Sequence, residues 1–231
     1  MPNTTNDWRG AQMPSGKTLA GRTVTLEPLS ATKHGTALWQ AVEGHDEVWD
    51  WLGDGPYGRE EDLYTALAAK ETGAAAQFFA ILPKHASGVA DVAAGYASLM
   101  RIDAANGVIE VGNVLFSPRL QRTPAATEAM FLMARYAFEE LGYRRYEWKC
   151  NALNLPSRRA APRLGFTFEG VFRQHMVIKG QNRDTAWFSM LDSEWPQRKA
   201  AFEAWLAAEN FDADGRQRRA LGSFSGGETS G

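Results

Sequence analysis

The stretch from Glu110 to Glu128, EVGNVLFSPRLQRTPAATE, constrains this chain more than any other. Val111, Val114, Leu115 and Phe116 are strand formers, and Ser117-Pro118 ends the strand. Thr123 is a residue that caps helices. Pro124 then falls at the first helical position, where its fixed φ and missing N–H fit best. Ala126, Ala129, Met130, Met133, Ala137 and Leu141 recur at helical spacing on one face. A strand that feeds a helix N-terminus through a tight loop is an anion site, because backbone N–H groups point outward and the helix dipole adds positive potential. A pyrophosphate needs that geometry.

The flanking segments alternate strands and helices. The spacing predicts strands over Arg22–Leu29, Gln77–Leu82, Val89–Ile102, Tyr143–Cys150, Phe166–Ile178 and Arg183–Leu191. Asn106-Gly107 reads as a hairpin turn before the Glu110 strand, and Lys179-Gly180-Gln181-Asn182 as another. Helices are predicted from Ser30 to Gly44, Glu60 to Thr72, Leu155 to Leu164 and Glu194 to Asn210. The order implies a mixed sheet with helices on both faces, of α/β or α+β class. Residues 1–16 read as a flexible arm, 17–211 as one domain, and the Gly/Arg/Ser-rich residues 212–231 as a disordered tail.

Composition narrows the function. A chain of 231 residues can bury one sizeable core. A net charge of −2 gives no field for nucleic acid or an acidic membrane. Cys150 is the single cysteine, so no internal disulfide forms, and His34, His45, His85 and His175 lack ligand spacing. No metal is expected. No run reaches a transmembrane span and no signal-peptide core opens the chain, so the expected location is cytoplasmic.

The run Gln121-Arg-Thr-Pro124-Ala-Ala126 resembles the acetyl-CoA loop of the GNAT N-acetyltransferases, Gln/Arg-x-x-Gly-x-Gly/Ala, with proline in place of the middle glycine. Two further blocks resemble the RimJ/RimL branch: Asn154-Leu-Pro-Ser157-Arg-Arg-Ala160-Ala-Pro-Arg-Leu164-Gly165-Phe166, and Glu169-Gly-Val-Phe-Arg173 through Arg183-Asp184 to Leu191-Asp192. The resemblance covers Leu19 to Trp205. It implies a splayed central sheet of about seven strands, with the cofactor held where two parallel strands separate. It also implies an acetyl-CoA-dependent N-acetyltransferase acting on a primary amine: a protein N-terminus, an amino acid or a small amine. Phe116, Gln121, Arg122, Thr123, Ala125, Ala126, Thr127 and Asn154 would hold acetyl-CoA. Proline at 124 removes one N–H donor, which Arg122 can offset with charge. A non-catalytic acyl-CoA-binding or protein-interaction module on the same fold is the competing reading, and a homodimer is left open.

Acetyl transfer to an amine needs a base for the ammonium, a donor for the thioester carbonyl and an acid for the thiolate. Glu110, with apolar sequence neighbours, is the candidate base and is expected to have a raised pKa. A solvent-facing strand carboxylate is equally compatible with the sequence. Ser157 takes the acid role that many GNAT enzymes give to a tyrosine, or it caps the helix that follows. Glu147 and Asp184 are weaker candidates for the base, and Asp184 is expected to pair with Arg173 or Arg183. Trp49, Asp50 and Trp51 read either as a surface turn packed on the core or as the wall of an acceptor pocket. In the second case Asp46, Glu47, Asp50 and Asp54 would attract a cationic amine. Cys150 reads as a small core residue.

Overall fold

The computed structural model describes residues 8–84 and 91–224. Its strands are β1 (Leu19–Ala20), β2 (Val24–Pro28), β3 (Ala76–Pro83), β4 (Gly95–Asp103), β5 (Val108–Phe116), β6 (Arg145–Asn151), β7 (Thr167–Ile178) and β8 (Gln181–Leu191). They form one sheet in the order β1-β2-β3-β4-β5-β6-β8-β7. Every neighbouring pair is antiparallel except β5 and β6, which run parallel. The helices are α1 (Ala31–Val42), α2 (Glu60–Thr72), α3 (Pro124–Arg135), α4 (Leu155–Arg163) and α5 (Trp195–Leu206).

Strand alternation sends apolar side chains to two cores. On one face Leu99, Ile109, Val111, Tyr146 and Phe188 pack with Met130 and Met133 of α3 and Phe202 of α5. On the other, Phe78, Ala80, Leu82 and Tyr96 pack with Leu38 of α1 and Leu63 and Leu67 of α2. Each such side chain contributes about 1.5–3 kcal/mol on burial. α3 lies at the centre and is buried all round from Ala125 to Ala134, more completely than a one-faced stripe requires.

Four features differ from the sequence expectation. The sheet has eight strands because Leu19–Ala20 pairs with β2. The turn between them is held by Glu128 of α3, a buried carboxylate that accepts the N–H groups of Arg22 (2.7 Å) and Thr23 (2.6 Å). β4 starts at Gly95, later than expected; Val89 and Ala90 lie outside the described residues. A Cβ on Gly95 would sit 2.2 Å from the Leu115 carbonyl oxygen, so only glycine lets β4 come this close to the end of β5. The third difference is the tail. Residues 212–224 fold back on α5, with Leu221 2% exposed and Trp205 Nε1 donating to Gln217 Oε1 at 2.8 Å. Asn210, itself buried, accepts the Arg219 N–H at 3.0 Å. One apolar anchor and an asparagine clamp order a segment whose composition reads as disordered; residues 225–231 lie outside the described residues. Part of the expected N-terminal arm is also tied down. Trp8 Nε1 donates to the Ala105 carbonyl, and the Ala11 N–H to the Ala104 carbonyl at 2.8 Å.

Candidate active site

β5 and β6 pair over only four positions, from Val108↔Arg145 to Val111↔Trp148. Beyond them, β5 continues along β4 and β6 along β8, so the two strands part. The cause is a bulge. Tyr96 pairs with Leu115 and Ser98 with Gly112, so Ala97 of β4 faces two residues of β5, Asn113 and Val114. Asn113 takes a positive φ of 47°, a conformation asparagine tolerates better than most side chains. The extra residue flips the alternation. Ile109 and Val111 face the α3 core, whereas Leu115 joins the α1/α2 core. The sequence offered one sign of this, the Gly112-Asn113 pair inside an apolar strand.

The end of β5 runs into the loop before α3 as expected. Thr123 is the N-cap, its Oγ1 accepting the Ala126 N–H at 3.2 Å, and Pro124 is the first helical residue. Gln121 Nε2 donates to the Phe116 carbonyl at 3.0 Å and closes the loop on itself, leaving that oxygen one further lone pair. Arg122 has a φ of 60° and an exposed side chain. The donor set differs from the expected one. Ala126 gives its N–H to Thr123 Oγ1, and Thr127 gives its own to the Thr123 carbonyl. Thr127 Oγ1 also accepts from Arg163. Among the described residues the N–H groups of Arg122, Thr123 and Ala125 are the ones left open at this helix start. The buried side chains of Ala125 and Ala126 make no polar contact there.

At the start of α4, Asn154 is the cap. Its Oδ1 accepts the Ser157 N–H at 3.0 Å. Ser157 is therefore not the capping residue. Its Oγ accepts the Trp148 Nε1–H at 2.9 Å, which leaves the hydroxyl hydrogen to donate elsewhere. Cys150 is buried in the α3 core, and burial pushes its thiol pKa up despite a hydrogen bond with Ser157.

Glu110 is 5% exposed on the opposite face of the sheet. Its sequence neighbours are apolar, but its spatial neighbours are not. Glu110 Oε2 lies 2.9 Å from Lys149 Nζ and 3.1 Å from Arg101 Nε. Lys149 also contacts Glu147 at 2.5 Å, Arg145 Nε contacts Glu147 at 2.7 Å, and Arg145 NH2 contacts Glu169 at 2.6 Å. The result is a ladder of alternating charge across β4, β5, β6 and β7. Burial raises the Glu110 pKa, while Lys149 and Arg101 pull it back down. Lys149 further sits over the Trp187 ring, 3.9 Å from its centroid. Lys149, Arg101, Trp187 and Asn113 were not picked out in the sequence. Glu147 and Lys149, two apart on one strand, carried the available signal.

In the His45–Arg59 segment, Trp49 follows the first of the two readings, a side chain packed on the core. Trp49 is 2% exposed, edge-on to Tyr57, and belongs to the α1/α2 core. Asp50 is exposed, and Trp51 is 43% exposed. Asp54 is bound to Lys70 and Tyr57, and Glu47 lies 3.1 Å from His45 Nδ1. Asp184 forms neither expected ion pair. It accepts the Gln174 N–H (2.7 Å) and Asn182 Nδ2 (3.0 Å). Among the described residues no three His, Cys, Asp or Glu side chains converge on a metal-sized site, and no helix is long and apolar enough to cross a membrane.

A sheet splayed at a parallel pair, with a capped helix start at its end, is the arrangement that the sequence resemblance implied. The family model described as an acetyltransferase (GNAT) domain matches residues 23–167, more than half of the chain. The chain belongs to the GNAT acetyltransferase family. The structure of a GCN5-related N-acetyltransferase from Brucella melitensis is 51% identical, covers 95% of this chain and 99% of its own, and superposes with a TM-score of 0.91. YdaF of Bacillus subtilis (strain 168), named as a candidate ribosomal N-acetyltransferase, is 32% identical over 106 residues. That match takes in 46% of this chain and 57% of YdaF, so the chain spans little more than half of this curated relative. A Salmonella typhimurium acetyl transferase, described as modifying the N-terminal serine of ribosomal protein L7/L12, is 20% identical with a TM-score of 0.62. It covers 76% of this GNAT chain and 99% of its own length, a likeness of fold. The match to the Brucella protein extends the GNAT likeness beyond the segment that the family model covers.

Proposed function

We propose that this N-acetyltransferase moves an acetyl group from acetyl-CoA directly to a primary amine, with Glu110 as base and Ser157 as acid. The observation that carries the reading is the gap between β5 and β6. Glu110 lies on β5 one residue before the pairing with β6 ends, Ser157 stands against β6 through Trp148, and the α3 N-terminus follows β5. Acetyl-CoA supplies the acetyl group as an activated thioester. The open N–H groups of Arg122, Thr123 and Ala125, with the Arg122 guanidinium, suit its pyrophosphate. Asn154 spends its oxygen on the cap and keeps its amide NH2 for a pantetheine carbonyl. Glu110, its pKa raised by burial and drawn partly back by Lys149 and Arg101, takes a proton from the acceptor ammonium, directly or through one water. Ser157 donates its hydrogen to the departing thiolate. Holding both substrates in one gap removes the need for a covalent enzyme intermediate. The names of YdaF and of the Salmonella protein make a ribosomal-protein N-terminus the first acceptor to try. Free amino acids and small amines follow it in the panel.

Two results test the residues. Replacing Gln121 and Arg122 together with alanine weakens acetyl-CoA binding about tenfold or more in calorimetry, the scale of one charge-assisted hydrogen bond. Unchanged affinity would take the pyrophosphate away from this loop. Ser157→Ala lowers kcat roughly a hundredfold while acetyl-CoA affinity holds, because a proton donor acts in the transition state. Since Asn154 is the cap, the variant loses the hydrogen bonds with Trp148 and Cys150 and about 1–2 kcal/mol of stability. Undiminished turnover per folded molecule would remove Ser157 from the chemistry.

A further inference from the structure

We propose that the acceptor side of this site binds an anionic group through Arg183, so that preferred acceptors carry a carboxylate close to the amine that is acetylated. The inference rests on the acetyl-transfer reading above and deepens it. It starts from charge balance on the Glu110 face. Arg101, Lys149 and Arg145 alternate with Glu110, Glu147 and Glu169, three cations against three carboxylates in continuous contact. Arg183 is the cation left over. It lies on the same face of β8 as Trp187, whose ring carries Lys149 of the ladder. Its sequence neighbour Asp184 does not neutralise it, because that carboxylate is engaged with Gln174 and Asn182.

Arg183 also keeps an unpartnered donor. Its Nε is buried and makes no hydrogen bond among the described residues, and the same is true of Trp187 Nε1. Buried donors without partners are costly and uncommon, and two on one strand face need an explanation. Arg183, Thr185 and Trp187 alternate along β8, while Ala186 and Phe188 between and beside them point into the α3 core. The three therefore share the Glu110 side of the sheet. Trp187 is fixed there by Lys149 on its ring and by Phe172, 4.5 Å away between centroids. His175 Nδ1 lies 2.9 Å from Thr185 Oγ1, and His175 and Phe172 also line an open cleft of about 940 Å³ together with Arg173, Gln174, Asn182 and Asp184. The field at this spot is positive: after burial, the charges of Arg101, Arg183 and Lys149 hold the His175 pKa below its ordinary value.

A carboxylate completes this set. It gives Arg183 a charge-assisted partner, and a neutral oxygen of the same molecule takes the Trp187 N–H nearer the base. A small neutral amine satisfies neither group. The carboxylate has two sources, the α-carboxylate of a free amino acid or an acidic side chain just after a peptide N-terminus.

Calorimetry on the CoA-saturated enzyme distinguishes them with two matched pairs: serine against serinamide, and Ser-Glu-Ala-amide against Ser-Gln-Ala-amide. The charged member of one pair binds about tenfold tighter or more, and the pair that shows it names the source. Arg183→Gln collapses that ratio to within about twofold, and Arg183→Lys retains most of it. Equal affinities in both pairs for the wild-type enzyme overturn the proposal, whether or not either variant folds. An unchanged ratio in folded Arg183→Gln, with or without weakened acetyl-CoA binding, also overturns it. A charged-ligand preference that depends on Arg183 in an enzyme that acetylates none of the four ligands supports this site and counts instead against the transfer reading.

Discussion

Replacing Glu110 with glutamine lowers kcat/KM for an amine acceptor by roughly a hundredfold to ten-thousandfold, the usual worth of a general base. Glutamine keeps the size and hydrogen-bonding reach of the side chain and removes its charge. Acetyl-CoA affinity changes little, because Glu110 faces the opposite side of the sheet from the α3 core. The pH profile carries the second readout. Burial raises the Glu110 pKa and the neighbouring cations lower it again, so the acidic limb of kcat/KM in the wild-type enzyme reports a carboxylate above its ordinary value. That limb is lost in the variant. Full activity with an unshifted limb would take Glu110 out of the mechanism and point to Glu147 or a water chain.

Lys149→Met destabilises the protein by about 3–5 kcal/mol at neutral pH, the cost of breaking a buried ion pair from one side. Lys149 Nζ lies between Glu110 and Glu147, each largely buried. Without it two carboxylates on adjacent strands, paired in register, face each other with only the less buried Arg101 and Arg145 to offset them. The sign follows from proton binding. Losing the cation raises the folded-state pKa of Glu110 further, so the native variant binds protons more readily than the unfolded chain. The deficit is therefore largest above the folded pKa and shrinks as pH falls through it. Thermal melts of wild type and variant from pH 7 to pH 4 should converge. Parallel curves, or a deficit below about 1 kcal/mol, would mean that Lys149 does not hold the two carboxylates. In whatever fraction folds, the acidic limb of kcat/KM moves to higher pH, which loss of packing alone does not produce.

Much of the fold was legible because its signals are local. Thr123-Pro124 marked the start of α3 and Asn106-Gly107 marked a hairpin, since capping and turn chemistry act within four residues. The spacing of apolar residues gave the strands on which both cores are built. The parts that were missed depend on pairing across the sheet. The Asn113 bulge exists only relative to β4, and the ladder from Arg101 to Glu169 draws three residues from β6 and one each from β4, β5 and β7. Apolar neighbours in sequence suggested an apolar setting for Glu110, but strand neighbours along the chain point to the opposite face. Trp49 was ambiguous for a different reason. An aromatic in a polar loop reads the same whether it seals a core or lines a pocket, and only packing against Tyr57 decides. Residues 212–224 were misread because their order depends on Leu221 and on the buried Asn210, not on average hydropathy.

The central claim is direct transfer in the gap between β5 and β6, with no acetylated enzyme on the way. Rapid-quench thiol release from acetyl-CoA, followed together with the intact mass of the protein, tests it most directly. The account predicts no thiol burst and no change in protein mass until an amine is added. Thiol and acetylated amine then appear in equal amounts. A burst of thiol without acceptor, matched by a protein heavier by one acetyl group on Cys150 or Ser157, would contradict it.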